Sequence, residues 1–259
     1  MNKLIISSLL LVNIVSINAF ADDISSGFYL GARAGVTMLR PTQNTLSSTT
    51  TAGALTDTVS KLEVAEGSHS VFSPSLALGY TFNTSWQQPI RLELAYSDFG
   101  RASQSNTLNT IMNSTWTSGS GYHQNYPTTL IRQQSLRART LMLNGYYDYT
   151  LGSSITPWVM GGVGVAFLHG STTVSQSAAG IQTGPDTYGQ SASNIAWSVG
   201  AGVTWTITPS LSLDTGYIYT NAGDLTTNGY TNNGIINGSW NSHTRLYMHT
   251  FQTGLRYNF

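Results

Sequence analysis

The chain has no cysteine and very little charge. With 11 Lys+Arg and 11 Asp+Glu among 259 residues, charged side chains make up 8% of it, against roughly 25% in an average soluble domain. The missing cysteine excludes a disulfide scaffold and any thiolate-ligated metal site. A formal net charge of +0 argues against the strongly basic surface that nucleic acid requires. Scarce charge beside 11% aromatic residues is also the reverse of a disordered composition. Long apolar runs are lacking too: a mean hydropathy of −0.08 leaves no room for several spans of about 20 apolar residues. What is abundant is glycine (26), tyrosine (14) and tryptophan (6), and the aromatics among these favour strands.

The first segment is built for export. Met1-Asn2-Lys3 is a short positive start, 4–15 is mostly apolar, and Ala19-Phe20-Ala21 precedes Asp22-Asp23. This small-x-small pattern predicts a secretory signal peptide over 1–21, cleaved with Ala19 and Ala21 at its recognition positions, and one domain over 22–259. The apolar run falls short of the about 17 residues that a spanning helix needs. Without the leader, Lys61 is the sole lysine.

Beyond it the chain alternates with a period of two, the mark of strands with two unlike faces. Phe28, Leu30, Val36 and Met38 oppose Tyr29, Gly31, Arg33 and Thr37; Leu76, Leu78 and Phe82 oppose Ser75, Ala77 and Thr81. Further segments follow around Ile90–Ser97, Leu141–Tyr149, Val159–Phe167, Ile195–Trp205, Leu211–Tyr219 and Tyr247–Phe259. Each holds about ten alternating residues, enough for a tilted strand to cross a bilayer. Short connections (83–88, 150–154, 207–210) alternate with long polar ones (40–70, 100–133, 169–193, 221–244). Aromatics gather at both ends of the apolar face: Phe28, Phe82, Tyr149, Trp205, Tyr257 and Phe259 near the short turns, and Phe72, Tyr96, Phe167, Trp197, Tyr219 and Tyr247 near the long connections. A soluble β-sandwich would need no such bands. The pattern predicts an all-β, eight-stranded antiparallel up-and-down transmembrane barrel, with short periplasmic turns, periplasmic termini and long extracellular loops. Ten strands is the alternative, should a connection fold into another hairpin.

Six charges fall on the inward face: Arg33, Arg91, Glu93, Asp148, Asp214 and Arg256. An eight-stranded interior is just wide enough for side chains to fill, and charges there must be paired to offset desolvation. Similar depth on neighbouring strands pairs Arg256 with Asp214 and Arg91 with Asp148, and Arg33 and Glu93, one or two layers higher, could meet across the lumen. They read either as a packing network that closes the lumen or as a gate in a narrow ion path. Arg137 and Arg139 break the pattern by falling on the outward parity. There they could meet lipopolysaccharide phosphates, or a local bulge could turn them inward.

These residues resemble the small outer-membrane β-barrel family of opacity-type surface proteins and related porin-family proteins. The resemblance rests on Gly27-Phe28-Tyr29-Leu30-Gly31, 143–149, 157–164 and Thr253-Gly254-Leu255-Arg256-Tyr257-Asn258-Phe259. It implies a Gram-negative outer-membrane location, in contact with outer-membrane lipid and lipopolysaccharide. It also implies recognition by the barrel-assembly machinery through Phe251, Leu255, Tyr257 and Phe259. Members act as surface antigens, adhesins or structural proteins, so the loops are expected to contact a host or environmental ligand.

Enzyme chemistry has little to rest on. Of His69, His123, His169, His243 and His249, only His249 sits where a lipid-facing base would be placed. Gly161-Gly162-Val163-Gly164 lies inside a strand, without the strand-to-helix context of a phosphate loop, and reads as room for lumen side chains. Asp57, Glu63, Glu66, Asp98, Asp186 and Asp224 are too scattered for a metal site. The expectation is a monomeric, non-enzymatic surface protein without a cofactor. A narrow passive pore is the alternative, and a lipid-modifying enzyme stands behind both.

Overall fold

The computed structural model describes residues 26–64, 67–82, 89–116, 123–151, 154–178, 181–232 and 236–259. Among them every regular element is a strand: β1 Gly27–Ala52, β2 Leu55–Glu63, β3 His69–Phe82, β4 Ile90–Trp116, β5 His123–Asp148, β6 Ile155–Ala178, β7 Ile181–Thr208, β8 Leu211–Asn232 and β9 Ile236–Asn258. Neighbours run antiparallel, and β1 closes onto β9 from Tyr29↔Asn258 up to Ala52↔Ile236. Where the apolar face lies, the ring has the eight strands that the alternation predicted. The proposed cleavage residues Ala19 and Ala21, the turn at 83–88 and Glu66 lie outside the described residues. The turn after β7 is tight: Leu211 N–H donates to Thr208 Oγ1 at 3.0 Å across Pro209 and Ser210.

The ninth strand is one that alternation did not reveal. β1 turns back through Gly53, whose φ of 58° suits a residue without Cβ. β2 then pairs with β1 above β3 and reaches β4 from Leu55↔Trp116 to Thr58↔Asn113. It takes over the place of the shorter β3 in the upper wall.

The four polar connections are also far more regular than their composition suggested. β4 and β5 stay paired up to Thr115↔His123, and β6 and β7 up to Ala178↔Ile181. Threonine and serine keep the pleat while the hydrophobic contrast that marks it disappears. Apart from β2 and β3, strands run from 22 residues in β8 to 28 in β7. At about 3.3 Å per residue and a tilt of about 40° they rise roughly 55–70 Å, against an apolar band of about 25 Å. More than half of the wall lies outside that apolar band.

Inside, bulky side chains lie across glycines of neighbouring strands. A Cβ on Gly79 would run into the Tyr29 ring, and one on Gly202 or Gly216 into Trp158. The glycine-rich parity of these strands is therefore the packing complement of a few large lumen residues. Gly162 and Gly164 likewise lie against Asn144, Ser198 and Met142.

Candidate functional site

The lumen is filled in layers. Nearest the termini is the charge layer. Arg33 grips Glu93 with two bonds, Nη1 to Oε1 at 2.8 Å and Nη2 to Oε2 at 2.6 Å. Arg91 grips Asp148 in the same bidentate way, at 2.6 and 2.8 Å. Asp214 lies between them, 3.5 Å from Arg33, 3.6 Å from Arg91 and 3.8 Å from Arg256, and it accepts from Thr204 Oγ1 at 2.6 Å. Tyr29 and Tyr146 each donate a hydroxyl to Glu93, while the Arg91 guanidinium lies 4.3 Å over the Tyr146 ring. All six charged residues are buried. Three cations and three anions thus form one neutral, cross-linked cluster spanning the lumen.

Above it Thr37 bonds both Ser73 and Thr250, and Ser97 bonds Ser75. A cavity of about 40 Å³ is lined here by Arg33, Phe99, Asn144 and Ser198, among others, room for only a few water molecules. Next comes an apolar layer, with Leu39, Phe99, Leu136, Leu168, Leu246 and Met248. A polar layer follows, in which Gln134 donates to Thr244, Thr244 to Asn44 and Arg132 to Ser242. Burial without a carboxylate partner pushes Arg132 down to about 10. A second apolar layer of Leu46, Val59, Met112, Leu130 and Val174 lies above.

The outer surface carries the feature that parity alone left open. β4 bulges between Asp98 and Arg101, where Gly100 (φ 60°) donates its N–H to Asp98 Oδ1 at 2.9 Å. The extra residue sends Phe99 into the first apolar layer and leaves Asp98 and Arg101 on the outer side. There Asp98 meets Arg137 Nη2 at 2.6 Å and Arg139 Nε at 3.2 Å. Arg137 and Arg139 therefore face outward; the bulge is on the neighbouring strand and reorients its residues instead. The Arg137 hydrogen bond, with help from the Gly100 N–H, holds the Asp98 carboxyl below its usual range. A depressed folded-state pKa stabilises above the unfolded value, and that contribution fades as pH falls through the lowered one. Asp98→Asn should thus lower the urea midpoint at pH 7, and the gap to wild type should close as pH falls below the ordinary carboxylate range; a gap independent of pH would contradict the pairing.

β8 repeats the device on the opposite side of the ring. Gly223 (φ 79°) donates to Asn221 Oδ1, Ala222 turns inward, and Asp224 pairs with Arg245 at 2.7 Å. Sequence reading missed both bulges, although Asp98-Phe99-Gly100 and Asn221-Ala222-Gly223 share an Asx-x-Gly spacing that signals them.

The other singled-out residues do not assemble into a site. His249 lies on the outer surface, bonded to the Tyr217 hydroxyl at 2.6 Å and set against Tyr219. His123, His169 and His243 bond Thr115, Ser191 and Thr226, and His69 lies at the start of β3. Among the described residues no three His, Asp or Glu side chains are grouped to hold a metal. Phe251, Leu255, Tyr257 and Phe259 all project outward at the end of the chain.

A family model described as opacity family porin protein matches residues 78–243, nearly two thirds of the chain, from within β3 into β9. The chain belongs to this family. It is an integral β-barrel protein of the bacterial outer membrane. It is similar to outer membrane protein PagN of Salmonella typhimurium, with 29% identity over 189 residues, 73% of each chain. Among solved structures it resembles Neisserial surface protein A, at 17% identity and a TM-score of 0.40, over 90% of this chain and 98% of that one. It also resembles the outer membrane protease OmpT of Escherichia coli, at 11% identity and a TM-score of 0.45, over 91% and 98%. Likeness at this level carries nothing about chemistry.

Proposed function

We propose that this protein is a surface barrel of the structural or adhesin type, which presents its polar wall to a host or environmental ligand and conducts no solute. The observation that carries this reading is the contrast between a lumen filled by charged, polar and apolar layers and a tall Ser/Thr/Asn-rich wall standing above the membrane. A rigid polar wall offers hydrogen-bonding surface with little ordering cost on binding. The six lumen charges act as a closing network rather than a gate. The exposed Phe251, Leu255, Tyr257 and Phe259 serve the assembly machinery and then the lipid interface.

Two measurements test the reading. Shortening the β4–β5 and β6–β7 hairpins in register, down to Arg101/Arg137 and His169/Ser191, should leave a folded barrel. It should also abolish attachment of expressing bacteria to epithelial monolayers; attachment that survives would sink the proposal. Proteoliposomes of the purified protein should show no swelling in small sugars, whereas solute flux would favour the narrow pore. An enzyme would instead show as altered lipid A or phospholipid on expression.

A further inference from the structure

The two bulges offer a comparison within one molecule. At β8–β9 the residue after the bulge glycine, Asp224, lies directly opposite Arg245, so unlike charges face each other. At β4–β5 the equivalent residue is Arg101, and it lies directly opposite Arg137. Like charges facing across a ladder repel, yet this pair is joined by Arg139 two residues along and by His169 opposite Arg137 on β6. Asp98 is the single acid among them. It bonds Arg137 and Arg139, which leaves this face with an excess of two positive charges. Among the described residues, exposed Arg101 has no ion pair and the buried Nε of Arg137 has no hydrogen-bond partner. Three arginines and His169 line one shallow groove with Phe167.

The height of this groove narrows what could fill it. Arg139 lies opposite Phe167, and Asp98 is two residues above Tyr96; both rings belong to the upper aromatic girdle. Girdle rings mark the headgroup level, so the guanidiniums lie where outer-leaflet phosphates are. Planar guanidiniums match phosphate oxygens in bidentate geometry.

We propose that Arg101, Arg137 and Arg139 form a binding site on the outer barrel wall for a phosphate group of lipopolysaccharide in the surrounding leaflet. Asp98 acts as a positioning residue that fans Arg137 and Arg139 toward the lipid. The site is independent of the adhesion reading, because it lies below the hairpins that reading invokes.

The test uses the full-length barrel in nanodiscs of neutral phospholipid, titrated with fluorescent lipid A carrying both phosphates or neither. Wild type should bind the bisphosphorylated form at least about tenfold more tightly. Arg101→Gln/Arg139→Gln should lose that preference, while Arg245→Gln, on the charge-balanced face, keeps it. Folding of each variant is checked by heat-modifiable mobility on gels. Should the double variant fail to fold, the exposed single change Arg101→Gln carries the test, with a partial loss expected. Equal affinity for the two lipid forms in wild type, or equal loss in Arg245→Gln, would overturn the site. Displacement of lipid A by millimolar inorganic phosphate would overturn the assignment to a lipid and leave a general anion site.

Discussion

Glu93→Gln is expected to lower the unfolding free energy by roughly 3–5 kcal/mol, the usual cost of stripping one partner from a buried ion pair. Four donors converge on this carboxylate: both terminal nitrogens of Arg33 and the hydroxyls of Tyr29 and Tyr146. An amide keeps the shape but offers one acceptor oxygen and turns a donor toward the others. Asp214, at 3.5 Å, would then be the one carboxylate left to Arg33, and the cluster would carry a net positive charge inside the wall. Adding Arg33→Met should recover part of the loss, because it restores neutrality. Urea unfolding of the refolded protein in lipid vesicles measures both. A loss below about 1 kcal/mol in the single variant would mean that water, not Glu93, solvates Arg33.

Trp158→Ala should cost a comparable amount, roughly 3–5 kcal/mol, for a different reason. The indole is buried, packs edge-on against Tyr146 at 5.4 Å, and covers Gly202 and Gly216 on the two following strands. Its N–H has no acceptor among the described residues, so its contribution is contact rather than hydrogen bonding. Trp158→Phe should therefore be much milder than Trp158→Ala. Gly216→Val should destabilise by about 1–3 kcal/mol through overpacking, and Trp158→Leu should relieve that clash in the double variant. Additive losses in this pair would show that the two sites do not touch.

These expectations depend differently on the sequence and on the fold. Which face each residue takes was legible from alternation, because the pleat is local and a bilayer demands apolar contact at every second position. The aromatic bands and the ring of eight followed from the same property. The height of the barrel was hidden in 100–133 and 169–193, where threonine and serine replace the apolar residues that make a strand visible. Depth along the strands could not reveal that Asp214 lies within reach of three arginines, since contacts across a lumen depend on register around the whole ring. The outward arginines show the same limit. Sequence put Arg137 and Arg139 on the lipid side but could not say whether they stayed there.

The scarcity of charge with which the chain begins to be readable is, in the folded protein, a matter of placement. Sequence alone determined that the six lumen charges avoid the lipid face while Arg137 and Arg139 do not, because parity along a strand is set by neighbouring residues. Only the tertiary structure decided that Asp214 joins all three lumen arginines and that Arg101 faces Arg137, whose one carboxylate partner is Asp98. That outcome turns on a single extra residue at Gly100, and a bulge is defined by the partner strand it slips against.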